Sequence, residues 1–137
     1  GVGIAVHSHF NLPREKQTKR IIKAMRNKHV DILFHPTGRL IQKREPYDVD
    51  VEEIIKTAKE TGTILEIDAD PYRLDLKDEY IRKAIEAGIK LSIDTDAHSK
   101  NSFHYLEFGI AQARRGWATK NDIINTRPWQ KMLELLK

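Results

Sequence analysis

The chain has 137 residues, with 24 Lys and Arg against 20 Asp and Glu, a net charge of +4 and no cysteine. That length suffices for one domain with a genuine core but is short for a complete barrel with a helix after every strand, and the absence of thiols excludes disulfides, thiolate metal sites and a cysteine nucleophile. The mixed charge permits contact with nucleic acid without arguing for it, and no apolar run approaches the roughly 18 residues of a membrane span, so a cytoplasmic chain with no membrane partner is expected.

The sequence begins without Met on a strand-like stretch, GVGIAV, which reads as a piece of a longer protein. Val2 to Val6 form the first expected strand, running into His7, Ser8 and His9. Asn11 is the expected cap and Pro13 lies in the first turn of a helix whose inward stripe is Thr18, Ile21, Ile22 and Met25. A second strand, VDILF from Val30 to Phe34, ends on His35. The connection PTGRLIQKREPYDVD follows, at about fifteen residues the longest in the chain, and connections of that length in compact domains are more often functional than not. Asp50 caps the next helix, with Glu53 three residues on as in a capping box, and Gly62 stops it. Thr63 to Ile67 are the third strand, ending on Asp68. After the loop ADPYRLDLK, a helix over Asp78–Ala87 turns Tyr80, Ile81, Ala84 and Ile85 inward. Lys90 to Ile93 are the fourth strand. Beyond it, Ser102 can cap a helix through Ala113, Thr119 a short one, and a last helix carries Trp129, Met132, Leu133 and Leu136. Strands alternating with helices argue for parallel pairing and an α/β sheet or barrel.

The residues with chemical potential fall at the strand ends. In KLSIDTDAHS, an extended backbone would project Asp94, Asp96 and His98 to one side. Three such groups repel or desolvate one another unless a cation balances them; a polar strand end followed by a helix cap is the plainer alternative. His7, His35, Asp68, and Asp96 with His98 each follow one of four strands, and carboxyl ends of parallel strands are where ligands lie in such folds. Imidazole and carboxylate together suit zinc, manganese or iron, and such metals lower the pKa of a bound water and stabilise charge on a phosphoryl oxygen. Asp68 and Asp94 could equally serve as supporting or capping groups, and Glu66, two residues before Asp68 on the same face, could point into the interior; His9 is a weaker candidate, and His29 and His104 read as surface residues. Arg39, Arg44 and Arg73 lie on the same side by this topology, where a guanidinium fork matches phosphate, although each could equally be a solvated loop charge. No Gly-rich nucleotide loop or GxSxG motif is present.

The strings AVHSHF, DILFHPTGRLI, REPYDVD, LEIDADPYRLDL and TDAHS, followed by FGIAQARRGW, resemble the carboxyl-terminal half of the PHP (polymerase and histidinol phosphatase) domain of bacterial and archaeal family X DNA polymerases. The resemblance spans essentially the whole chain and is most specific at HPTGR and TDAH. It implies a partial (β/α) barrel of the PHP type over residues 1–137, with about four parallel strands and flanking helices. It assigns His7, His35, Asp96 and His98 as ligands of divalent metal, Mn2+ or Zn2+, and gives none to His9. Asp96, His98 and Arg39 become the catalytic set, with Arg39 orienting phosphate. Asp68 and Asp94 depart from the family's more usual Asn and Gly. An HxH pair, a further histidine and a bridging glutamate belong upstream of Gly1 in the family, so the fragment alone should bind metal incompletely and be of low activity. The implied function is a metal-dependent phosphoesterase acting on DNA ends, as a 3′-5′ exonuclease or 3′-phosphatase, with a polymerase domain in the same parent chain. The alternatives are a histidinol-phosphate-like small-molecule phosphatase and a non-catalytic module bracing a polymerase. A homodimer covering the open barrel edge is also expected.

Overall fold

Strands and helices alternate along the chain in the computed structural model, which describes residues 2–95 and 104–136. The order is β1 (Val2–Ile4), α1 (Arg14–Met25), β2 (Val30–Leu33), α2 (Val51–Thr61), β3 (Ile64–Asp68), α3 (Asp78–Glu86), β4 (Leu91–Asp94), α4 (Leu106–Arg115), a 3-10 turn (Ile124–Thr126) and α5 (Trp129–Leu133). The strands form one parallel sheet in the order β1-β2-β3-β4. This is the expected α/β arrangement of four parallel strands with flanking helices, consistent with part of a PHP-type barrel.

Local chemistry sets the helix ends. The Asp50 side chain accepts from the Glu53 amide, and Gly62 closes α2 at φ 72°, a left-handed conformation that glycine adopts without a Cβ clash. The expected cap at Asn11 is not the one used. Pro13 occupies the cap position of α1, with φ −54° and no side-chain cap, so the fixed proline φ starts the helix directly. Ser102 lies outside the described residues. Thr119 begins a turn rather than a helix, its amide and hydroxyl both donating to Asp122 Oδ2.

Period-two alternation divides the sheet into two faces. Leu33, Leu65, Ile67, Leu91 and Ile93 join Ile21, Met25, Ile54, Ala58, Ile81, Ala84 and Ala113 in one core beneath the helices. Full burial of each large aliphatic side chain contributes about 1.5–3 kcal/mol. Successive helices pack on one another, α1 on α2, α2 on α3 and α3 on α4. The alternate residues Ile64, Glu66 and Asp68 of β3 and Ser92 and Asp94 of β4 belong to the opposite face, where Glu66 pairs laterally with Ser92 and Asp68 with Asp94.

The two edges of the sheet differ. Along β4, the Leu91 amide donates to Asp122 O at 2.8 Å, the Ile93 amide to Asn125 Oδ1 at 3.1 Å, and Asn125 Nδ2 to Ile93 O at 2.6 Å. Among the described residues β1 pairs with β2 alone, and Val2 is exposed. No helix among the described residues is long and apolar enough to cross a membrane.

Candidate functional site

β1 and β2 deliver two imidazoles to the same place. The His7 and His35 rings lie 5.3 Å apart, centroid to centroid, at 72° to one another. His7 is exposed and His35 buried. Beyond His7 the chain enters a turn that α1 fixes, where Gln17 Nε2 donates to His9 O at 2.9 Å and Arg20 Nη1 to Ser8 O at 2.8 Å.

His35 has a backbone φ of 30°, a region that costs a non-glycine residue about 1–3 kcal/mol unless its surroundings hold it. Hydrogen bonds from β3 and from the following loop hold this corner. The His35 amide donates to Glu66 Oε2 at 2.6 Å, the Gly38 amide donates to His35 O at 3.0 Å, and the Tyr47 hydroxyl donates to Pro36 O at 2.6 Å. Glu66 thereby connects the β2 corner to β3. Its burial pushes its pKa up to about 9; the His35 amide opposes that shift, while Asp68, Asp94 and Asp75 add to it. Burial thus favours the protonated form of Glu66.

Asp68, fully buried at the end of β3, accepts from the Asp70 amide at 3.0 Å and approaches Arg73 Nε at 3.5 Å. Asp94 takes the Ser92 hydroxyl at 3.0 Å; burial raises its pKa, and that hydroxyl lowers it. Asp75 is also fully buried and accepts from the Thr37 amide and hydroxyl and from the Gly38 amide, at 2.8–3.2 Å. Burial nevertheless lifts its pKa to about 6, against the pull of those donors.

Of the sequence candidates, His7 and His35 meet. Asp96 and His98 lie outside the described residues. Arg39 donates from Nε to Arg73 O at 2.6 Å and from Nη2 to Leu74 O, which joins the HPTGR turn to the loop after β3. Arg44 holds Gly38 O in the same way, and its guanidinium lies 4.2 Å from the Phe10 ring centroid. The sequence pattern did not single out Asp75 or Gln17. Asp75 is one of several aspartates in a polar loop, and only its meeting with Thr37, 38 residues away, distinguishes it. Among the described residues no group of three or more His, Asp or Glu is gathered closely enough to hold a metal ion. The donor chemistry of His7 and His35, with carboxylates in electrostatic reach of Glu66, fits the edge of a divalent-cation centre.

No protein-family model matches the chain. It is 42% identical over 133 residues to the Bacillus subtilis (strain 168) protein named DNA polymerase/3'-5' exonuclease PolX, an alignment covering 97% of this chain and 23% of that protein. The chain is related to PolX. The resemblance to family X read from the motifs therefore holds along nearly its whole length. Proteins named "Probable phosphatase" match as well. One, from Thermoanaerobacter sp. (strain X514), is 29% identical over 118 residues, covering 82% of this chain and 46% of that protein. Another, from Caldanaerobacter subterraneus subsp. tengcongensis, is 30% identical over 90 residues, covering 61% and 33%. The chain spans less than half the length of PolX and of each of these phosphatase relatives.

Proposed function

We propose that residues 1–137 are the carboxyl-terminal part of a PHP domain and supply part of a metal-dependent phosphoesterase centre acting on DNA ends, of the 3′-5′ exonuclease or 3′-phosphatase kind, within a longer PolX-like polypeptide. The observation that carries this reading is the meeting of His7 and His35 at the carboxyl ends of adjacent parallel strands, beside the carboxylates around Glu66. The relationship to PolX supports DNA as substrate and a polymerase domain as neighbour.

In this reading His7, His35, Asp96 and His98 hold divalent metal, Mn2+ or Zn2+, which supplies a nucleophilic water near neutral pH and offsets charge on the phosphoryl oxygens. The chain's own residues fix the geometry. Glu66 holds the strained His35 corner, Asp75 gathers the Thr37–Gly38 turn, and Arg39 ties that turn to residues 73 and 74. Arg39 can orient a phosphate only with donors other than the two committed to those carbonyls.

The test is Mn2+-dependent release of nucleotide from a 3′-labelled oligonucleotide by the longer polypeptide, with and without His35→Ala. The expected loss is at least the ten- to hundredfold seen when groups supporting a metal are removed, together with much weaker activity of the 137-residue chain alone. Full activity of His35→Ala, or activity indifferent to EDTA, overturns the reading. A small-molecule phosphatase is the second reading, favoured by the relatives bearing phosphatase names; faster turnover of a monomeric phosphate ester than of an oligonucleotide would select it.

A further inference from the structure

The long loop between β2 and α2 encloses a cavity of about 590 Å³. One wall is the loop itself, from Thr37 to Val49; the other is the start of α2 and of α3, at Val51, Lys77 and Tyr80. Both helices begin where the chain leaves the carboxyl ends of β2 and β3. The cavity therefore lies on the same side of the sheet as His7 and His35, and Thr37, two residues beyond His35, lines it. Pockets of roughly 300–1,000 Å³ accommodate small organic ligands, and a single nucleotide falls within that range.

Its chemistry is that of an anion site with an aromatic flank. Four cations, Arg14, Arg39, Arg44 and Lys77, line it against two carboxylates, Glu45 and Asp48. Arg39 and Arg44 are held by backbone carbonyls, and neither is in a salt bridge among the described residues, so their positive charge is fixed in place, with the buried Asp75 carboxyl in electrostatic reach of Arg39. Arg14 pairs with Asp48 at 2.7 Å and Lys77 with Glu79 at 2.6 Å. Water screens such surface pairs, so a phosphate can displace the carboxylate at small cost. Lys77 Nζ also lies 5.0 Å from the centroid of the Tyr80 ring. Cations interleaved with aromatic rings are the combination that binds single-stranded nucleic acid, charge following the backbone and rings taking bases.

We propose that this cavity binds a nucleotide unit of the substrate strand away from the reacting end, with Arg14, Arg44 and Lys77 directed at phosphodiester and Tyr80 at the base. The proposal rests on the DNA reading above, and its test is independent of hydrolysis. Fluorescence anisotropy of a labelled single-stranded oligodeoxynucleotide, in EDTA, compares the wild-type chain with Arg14→Glu/Lys77→Glu. The Arg14 side chain is exposed and that of Lys77 partly so, 66% and 44%, and an unchanged melting curve verifies that the variant is folded. The variant is expected to bind at least about tenfold more weakly, with a salt dependence shallower by about 0.7 in log K per log salt for each phosphate that it no longer neutralises. Equal affinity and equal slope in the two proteins overturn the proposal, as does the absence of wild-type binding. Displacement of the oligonucleotide by inorganic phosphate as readily as by a dinucleotide also overturns it, since that outcome describes a general anion site. Failure of metal-dependent cleavage with intact cavity binding instead removes the catalytic reading and leaves this one standing.

Discussion

At the scale of single residues, Asp75 shows how burial and hydrogen bonding compete. Its carboxyl accepts from three donors, yet complete burial raises its pKa from 3.8 to about 6. A folded-state pKa raised above the unfolded value gives stability that is complete below about pH 4 and is lost as pH rises through about 6. Asp75→Asn abolishes that titration and turns an amide N–H toward the Thr37 and Gly38 donors, a mismatch costing about 1–3 kcal/mol. Thermal melts from pH 4 to 8 are therefore expected to show the deficit of Asp75→Asn, relative to the wild type, shrinking as pH rises through about 6; a deficit independent of pH would refute the assignment. The histidines are legible in the sequence because each follows a recognisable strand. Glu66 is legible only as a residue sharing a face with Asp68, because its partner is a backbone amide 31 positions away and amides carry no sequence signal. Arg39 is legible as a cation on the correct side of the sheet, while its grip on the carbonyls of residues 73 and 74 depends on how two loops fold together.

At the scale of elements, α2 and α4 make contrasting use of glycine. A Cβ on Gly62 would meet nothing within 4 Å, so Gly62→Ala is opposed only by its φ of 72°, a cost of about 1–2 kcal/mol. A Cβ on Gly109 would come within 2.6 Å of Ala69 Cβ and 2.7 Å of Ile93 Cγ2. Gly109→Ala would gain about 1 kcal/mol of helix propensity but must force α4 off β3 and β4, and overpacking of that kind costs about 1–3 kcal/mol. Chemical denaturation is expected to find Gly109→Ala destabilised despite the better helix former; a net gain would show that α4 shifts without resistance. The helix stripes of α1 to α3 are readable from spacing, and Asp50 and Gly62 from type, since caps rely on local chemistry. The last helix is readable only as a pattern. Trp129 and Leu133 are exposed, and none of the five residues of α5 is buried, because a periodic stripe states that a face is apolar and not what it packs against.

At the scale of the whole molecule, parallel alternation settles the fold class from sequence, but the treatment of the sheet edges is not visible there. Asn125 bonds Ile93 through both its amide oxygen and its amide nitrogen, and so takes the place that the backbone of a fifth strand would occupy. Asn125→Ala removes both bonds and is expected to cost about 1–3 kcal/mol by leaving Ile93 polar groups unsatisfied, read as a lowered denaturation midpoint. Together with Asp122 and Ile123 beside Leu91, that side chain covers the β4 margin, whereas among the described residues β1 pairs with β2 alone. A head-to-tail fibre requires two competent margins on every copy, whereas a twofold pair requires only one. If copies of this chain pair through β1, two copies are the limit, and sedimentation at rising concentration should then reach a dimer plateau with no larger species. Asn125→Ala leaves the Leu91–Asp122 bond and the Leu91–Ile123 bridge in place, so the margin stays covered by the backbone of residues 122 and 123 and the same measurement should keep its plateau: the limit on assembly is set by a segment of chain, and the amide side chain only extends it.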